Sequence, residues 1–66
     1  MRIQLNGESK ELPEGTTVGW LLEEAGLPER AVAVEVNEEL VPRADRAERR
    51  LAEGDRVELV TLVGGG

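Results

Sequence analysis

Apolar and polar residues alternate at the start of the chain, which is the pattern of a strand with one buried face. In the opening R-I-Q-L, the apolar Ile3 and Leu5 are separated by a polar residue. The Asn6-Gly7 dipeptide comes next, and it predicts a tight hairpin turn because both residues tolerate positive φ. The return strand, E-S-K-E-L, is polar except for Leu12. A two-residue turn would place Lys10 opposite Ile3 on the buried face, so either the Lys10 stem snorkels at the sheet edge or the turn is longer.

A helical period replaces the alternation after E-G-T-T. The apolar residues of this segment fall at i, i+3, i+4 and i+7, which is one face of a helix: Val18, Leu21, Leu22 and Ala25. Thr16 or Thr17 supplies a hydroxyl for the N-terminal cap. Gly26 suits the left-handed C-terminal cap, and Pro28 prevents continuation. The spacing therefore predicts one short helix.

The segment after the helix, A-V-A-V-E-V, is rich in β-branched residues. This composition predicts a buried central strand that ends at Val36. Residues 37–39 predict a turn. Leu40 and Val41 predict a short strand, and Pro42 confines it to an edge or a strand end.

The C-terminal third combines a charged run with an apolar strand. R-A-D-R-A-E-R-R-L-A has apolar positions spaced for a helical turn or two. We interpret its charged side chains, including Arg46, Arg49 and Arg50, as a solvated face. R-V-E-L-V-T-L-V predicts the last strand, and both of its faces are apolar from Leu59 to Val63.

Together these elements predict an α+β fold of the β-grasp (ubiquitin-like) class. A mixed sheet with one helix packed across it buries the apolar faces economically. We expect four to five strands, one main helix and a flexible C-terminal glycine tail. The predicted division is a β-grasp domain at residues 1–63 and a tail at residues 64–66.

Composition restricts the chemistry of this protein. The 66 residues include no cysteine and no histidine, so we do not expect an ordinary enzyme site, a metal site or a bound cofactor. The net charge of −6 repels nucleic-acid phosphate and favours a basic groove on another protein. We recognise no leader sequence or membrane-spanning run, and we expect a cytoplasmic protein that is monomeric when free.

The terminal Gly64, Gly65 and Gly66 are the main candidate functional residues. Without side chains, they form a thin arm that fits a narrow channel and delivers the Gly66 carboxylate to a reactive centre in a partner. A free carboxylate is unreactive toward nucleophiles, so it needs activation, most simply as an acyl-adenylate formed from ATP. Attack by sulfide then leaves a thiocarboxylate, and attack by a persulfide does so once a thiol has cleaved the resulting acyl disulfide. The alternative is a frayed terminus without function.

Four stretches of the sequence resemble the ubiquitin-like sulfur carriers of thiamine (thiazole) biosynthesis, the ThiS family. They are M-R-I-Q-L-N-G, E-G-T-T-V-G-W-L-L, V-A-V-E-V-N-E-E-L-V-P-R and E-G-D-R-V-E-L-V-T-L-V-G-G-G. The combination of N-x-x-L-V-P-R with the ending G-D-x-V-E-x-V-x-x-V-G-G-G is the most specific part. The segment at residues 44–51 resembles the family least.

The resemblance implies a role for each tail residue and a set of partners. Gly66 is then the residue that is adenylated and converted to a thiocarboxylate, Gly65 matches the penultimate glycine of the family, and Gly64 is an additional glycine. The implied activating partner is an adenylyltransferase that resembles the ubiquitin-activating enzyme (ThiF-type) and uses ATP and magnesium. The implied sulfur donor is a cysteine desulfurase or a related protein, and the acceptor is thiazole synthase (ThiG-type). The carrier itself is a cosubstrate and not an enzyme.

Two surface features and the competing functions complete the predictions. Val60, Leu62 and Val63 form a candidate partner patch before the tail, the alternative being that loops cover them. Trp20 lies off the helical stripe, and we interpret it as packing over a neighbouring loop instead of contacting a partner. The competing functions are sulfur delivery to tRNA thiolation or molybdopterin synthesis, and a ubiquitin-like conjugation or binding module without sulfur chemistry.

Overall fold

The computed structural model describes residues 1–62 as a five-stranded sheet with one α-helix. The elements in chain order are β1 (Arg2–Leu5), β2 (Glu8–Glu11), α1 (Val18–Ala25), β3 (Val32–Val36), β4 (Glu39–Leu40) and β5 (Arg56–Thr61), with 3₁₀ turns at Glu29–Ala31 and Arg43–Asp45. The strand order is β2-β1-β5-β3-β4. β1 and β5 are parallel, and the other neighbours are antiparallel. The predicted β-grasp fold with a mixed sheet is therefore confirmed.

Both tight hairpins are closed by pairs of residues with positive φ. Asn6 and Gly7 have φ of 50° and 85°, so the predicted two-residue turn between β1 and β2 is confirmed. Asn37 and Glu38, with φ of 53° and 72°, form the turn between β3 and β4. Two-residue turns of this kind match the twist of the flanking strands, and they set the register of each hairpin.

The core lies between α1 and the inner face of the sheet. Its buried apolar side chains are Ile3, Leu12, Val18, Leu21, Leu22, Val32, Val34, Val36, Val41, Leu51 and Val57. The predicted helix is confirmed with Thr17 as its N-cap and Gly26 as its left-handed C-cap. Ala25, which was predicted on the buried stripe, is exposed. The chain reverses at Gly26, and Leu27 packs against the core from beyond the cap.

The predicted buried central strand is β3, but its position and burial differ from the prediction. β5 is the middle strand of the sheet, and β3 lies next to it. Only one face of β3 is buried, since Glu35 is exposed on the other face. The short strand β4 is Glu39–Leu40, and Val41 follows it as a buried residue. The reason is that α1 covers one face of the sheet and no other element in the described range covers the second.

The charged segment after β4 differs most from the prediction. It forms the 3₁₀ turn Arg43–Asp45 and further turns instead of a helical stripe on a solvated face. The predicted solvated Arg46 is buried, with 4% of its surface exposed. The carbonyl oxygens of Arg46 and Arg49 accept the N–H groups of Gly19 and Val18, each at 2.9 Å. These bonds satisfy two of the free N–H groups that every helix has at its N-terminus, so this segment caps α1.

Candidate functional site

The candidate site is the end of β5, where the chain leaves the sheet. β1 pairs with only the first two residues of β5. Beyond them, the side chain of Asn6 occupies that edge: its Oδ1 accepts the Leu59 N–H at 2.8 Å, and its Nδ2 donates to the Leu59 carbonyl at 3.3 Å. On the other edge β3 pairs with β5 as far as Thr61, and the Leu62 N–H donates to the Ala31 carbonyl at 2.7 Å. β3 and the residue before it therefore guide the chain to its last described position.

Two apolar side chains are exposed beside this exit. Val60 is 55% exposed and Leu62 is 56% exposed. Val60 pairs with Ala33 and lies on the outer face of the sheet, away from α1. No segment within residues 1–62 covers either side chain, which leaves both accessible to another protein. Their contact with a partner stays a prediction.

Four of the predicted site residues lie outside the described residues: Val63, Gly64, Gly65 and Gly66. Their roles, including adenylation at Gly66, stay predictions, and so does the division of the chain at residue 63. The part of the site that the structure describes is therefore the end of β5 up to Leu62.

The outer face also carries an exposed leucine and two opposed carboxylates. Leu40 is 64% exposed and pairs with Glu35, which pairs in turn with Glu58 on β5. Sequence reasoning predicted Leu40 in a strand but did not assign it to a surface. The turn at residues 37 and 38 was the available signal, because a two-residue turn after Val36 places Leu40 opposite Glu35 and hence on the outer face. Leu40 therefore lies beside Glu35, and Val60 lies two residues after Glu58 on β5.

Trp20 lies on the helix side of the sheet, away from the exit of β5. It is 40% exposed. One side of its ring lines a shallow groove with residues 13–17, the loop that precedes α1. Trp20 also lines two further grooves on other sides, so its packing over the neighbouring loop stays a prediction. Trp20 and the outer-face leucine and valine residues therefore belong to different surfaces.

The described residues provide a surface and a guided strand end. Within residues 1–62 there is no group of three side chains placed to hold a metal ion. No helix in the same range is long and apolar enough to cross a bilayer. The arrangement can present the chain beyond Leu62 to another protein while Val60 and Leu62 offer that protein an apolar contact.

Comparison with known proteins gives a family match over nearly the whole chain. Residues 3–66 match the ThiS family. A sulfur carrier protein ThiS from Thermus thermophilus is 44% identical over 64 residues, which are 97% of this chain and 98% of that protein. A thiazole synthase from Paramagnetospirillum magneticum is 41% identical over 66 residues, which are 100% of this chain and 20% of that protein. The chain thus spans 20% of the length of the thiazole synthases that it matches.

A solved structure shows the same fold. The crystal structure of a thiamine biosynthesis protein (ThiS) from Geobacter metallireducens matches with a TM-score of 0.84 at 29% sequence identity. The match covers 100% of both chains. The overall fold is therefore shared with a protein of the matched family.

Proposed function

The chain belongs to the ThiS family, and from this membership we propose that it is a sulfur carrier protein of thiamine biosynthesis and not an enzyme. The observation that carries the proposal is that the family match runs through Gly66 at the end of the chain. The exit of β5 beside the exposed Val60 and Leu62 supports it. A folded body whose last strand is exposed at Val60 and Leu62 is compatible with the role of a protein cosubstrate.

The proposed chemistry takes place at the Gly66 carboxylate. An oxygen of the carboxylate attacks the α-phosphate of ATP, which forms the acyl-adenylate and releases pyrophosphate. Sulfide then attacks the activated carbonyl carbon, the bond to AMP breaks, and a thiocarboxylate remains. Magnesium and the catalytic groups belong to the activating enzyme, so the carrier needs neither a nucleophilic side chain nor a bound cofactor. Because this activation consumes ATP, we propose that the protein acts in the cytoplasm.

The proposed activating partner is a ThiF-type adenylyltransferase, and the sulfur donor is a cysteine desulfurase or a related protein. We propose that Val60, Leu62 and Val63 form the apolar contact on which the activating enzyme holds the carrier. Covering apolar surface that is half exposed in the free protein contributes favourably to the free energy of binding. The overall charge of −6 complements a basic surface on such a partner.

The proposed sulfur acceptor is a ThiG-type thiazole synthase. A relative named thiazole synthase contains a segment that matches 100% of this chain. Linking two proteins in one chain raises the effective concentration of each toward the other. Such a link is useful when the two proteins act on each other. This arrangement in a relative supports thiazole synthase over the acceptors of tRNA thiolation or molybdopterin synthesis.

Intact mass spectrometry tests the proposal. The purified carrier, ending at Gly66, is incubated with ATP, magnesium, sulfide and the candidate activating enzyme from the same cell, with a matched reaction that lacks ATP. We expect a mass gain equal to replacement of one oxygen by sulfur, located by fragmentation in the last residues. The thiocarboxylate is then mixed with thiazole synthase and the small-molecule substrates that accept the sulfur, and we expect the mass to return to that of the carboxylate.

The competing functions give different products in the same experiment. An unchanged mass with every candidate activating enzyme would favour a non-covalent ubiquitin-like module. A product joined through Gly66 to a lysine of another protein would favour conjugation. A thiocarboxylate that loses its sulfur only to a tRNA-thiolation enzyme or to molybdopterin synthase would assign the carrier to those pathways.

A further inference from the structure

Arg46 is the one charged side chain that is buried within residues 1–62. Its guanidinium donates to three backbone carbonyls: Nη1 to Glu29 at 2.7 Å, Nη2 to Val32 at 2.7 Å and Nε to Val41 at 3.4 Å. The ion pairs of the described residues do not involve it. Its planar fork of donors suits several acceptors at once, in a way that the single nitrogen of lysine does not. Arg46 thus joins three main-chain segments.

The guanidinium occupies the edge of β3 where the neighbouring strand ends. Val41 N–H donates to the Val34 carbonyl at 2.9 Å, which is the last backbone bond that the β4 side gives to this edge of β3 in the described range. Alternate carbonyls of a strand point to the same edge, so the Val32 carbonyl faces the same way as that of Val34. After Pro42 the chain enters the 3₁₀ turn Arg43–Asp45 and no longer continues the strand. Nη2 of Arg46 therefore takes the place of the missing strand at Val32.

The two short bonds of Arg46 lie on either side of Ala31. Glu29 and Val32 accept from Nη1 and Nη2, and the carbonyl of Ala31, between them, accepts the N–H of Leu62 at 2.7 Å. The turn Glu29–Ala31 has no buried residue of its own. A single 3₁₀ turn has poor intrinsic stability, so it depends on outside contacts to hold its carbonyls in place. Arg46 supplies such contacts at Glu29 and Val32, which flank the Ala31 carbonyl that accepts from Leu62.

We propose that Arg46 is a positioning residue that fixes where the C-terminal arm leaves the fold, and that it thereby sets how Gly66 reaches the activating enzyme. This inference rests on the proposed function. Arg46 acts through Ala31 and Leu62 and does not itself contact the reacting carboxylate. Loss of its fork leaves the carbonyls of Glu29, Val32 and Val41 without this donor, and the Ala31 carbonyl between the first two then shifts relative to β5.

Amide hydrogen exchange and adenylation kinetics test this role on three variants of the full chain. Arg46→Met removes all donors, and Arg46→Lys keeps the charge on a single nitrogen. Thr17→Ala is the matched control: it removes the hydroxyl that accepts the Trp20 N–H at 3.1 Å and weakens the same end of α1 that the Arg46 segment caps, without touching residues 29–32. The reference amide is Asn6 N–H, which donates to the Val57 carbonyl in the centre of the sheet.

We expect exchange at Leu62 N–H to accelerate in Arg46→Met by about threefold to tenfold more than exchange at Asn6, which corresponds to one hydrogen bond of ordinary strength. Arg46→Lys should lie between the wild type and Arg46→Met. The kcat/KM for adenylation of the carrier should fall by a similar factor, with the KM for ATP unchanged. Thr17→Ala should accelerate exchange at both amides equally and leave kcat/KM unchanged.

The outcomes that contradict the inference are distinct from failure of the proposed function. Equal acceleration of exchange at Leu62 and Asn6 in the Arg46 variants would show a general loss of stability. An unchanged kcat/KM together with accelerated exchange at Leu62 would show that the position of the exit does not affect adenylation. Either result overturns the positioning role. If Arg46→Met does not fold, Arg46→Lys decides by the same two measurements. A wild-type chain that is never adenylated counts against the proposed function, whereas the exchange measurement needs no partner.

Discussion

The inner and outer faces of the sheet use the same apolar residue types in opposite ways. On the inner face Val34 and Val57 are buried beneath α1, with 0% and 1% of their surfaces exposed. At the end of β5, Val60 and Leu62 lie on the outer face, and more than half of each residue is exposed. Burial of a side chain this size contributes about 1.5–3 kcal/mol, whereas an exposed one contributes little to folding. The inner residues therefore stabilise the fold, whereas the outer ones contribute little to it and are the residues of the proposed partner contact.

Charge separates the two faces in the same way. Within residues 1–62, every buried residue of the strands is apolar. On the outer face Glu35 and Glu58 are directly opposed on neighbouring strands. Like charges in opposed positions destabilise a sheet, so stability alone does not explain this pair. The comparison teaches that α1 decides which face forms the core, and that the uncovered face is free to carry residues that cost stability.

The largest effect on function, without an effect on the fold, is expected at the tail. Deletion of Gly66, or extension of the chain by one alanine after it, should abolish formation of the thiocarboxylate because the reacting carboxylate is displaced. The free energy of unfolding should stay unchanged, since the buried apolar side chains in the described range lie between Ile3 and Val57. Intact mass after activation and a urea titration measure the two quantities.

Gly64→Ala is the matched control for this prediction. It changes the tail but keeps Gly65 and the terminal Gly66, and it should retain most of the sulfur transfer. If the chain extended by alanine still transfers sulfur without being trimmed, the terminal carboxylate is not the reacting group.

The largest effect on the fold is expected at the inner face. Leu21→Ala should lower the free energy of unfolding by about 2–5 kcal/mol, because Leu21 is 1% exposed and its truncation leaves a cavity. A domain of this size has a total stability of about 3–10 kcal/mol, so this variant is close to unfolding. The midpoint of a urea titration measures the change.

Trp20→Ala is the control on the neighbouring position of α1. Trp20 is larger than leucine but 40% exposed, so its truncation should cost less than that of Leu21. If the two variants had the same midpoint, burial on the inner face would not be what distinguishes these positions.

The elements that the sequence predicts well depend on neighbouring residues. The hairpin turn at Asn6-Gly7 and the caps of α1 at Thr17 and Gly26 follow from φ preferences and from hydrogen bonds over three or four residues. The fold class followed because the alternating period predicts strands and the helical period predicts a single helix. These local rules hold without knowledge of the remaining chain.

The features that the sequence did not predict depend on residues from separate elements. Arg46 is buried because the carbonyls of Glu29 and Val32 meet it in space, which a charged run read by composition does not reveal. Ala25 is exposed because the chain reverses after it and Leu27 packs on the core instead. For the candidate site, the exposure of Val60 could be inferred from its alternation with Val57 and Leu59, whereas residues 63–66 lie outside the described chain.

The smallest predicted effect is that of a substitution at Val60, where β5 ends on the outer face. Val60→Thr keeps the β-branched shape and replaces one methyl group by a hydroxyl on the exposed outer face. Its free energy of unfolding should change by less than about 0.5 kcal/mol, as for an ordinary surface substitution. If the activating enzyme covers this side chain, the loss of about 0.8 kcal/mol of apolar contact predicts a fall in kcat/KM for adenylation of about fourfold. Gln4→Thr, on the same face but opposite the first residue of β5, is the control and should leave kcat/KM unchanged. An equal kcat/KM in the wild type and in both variants would remove Val60 from the contact surface, and the exposed apolar exit would then have no role in activation.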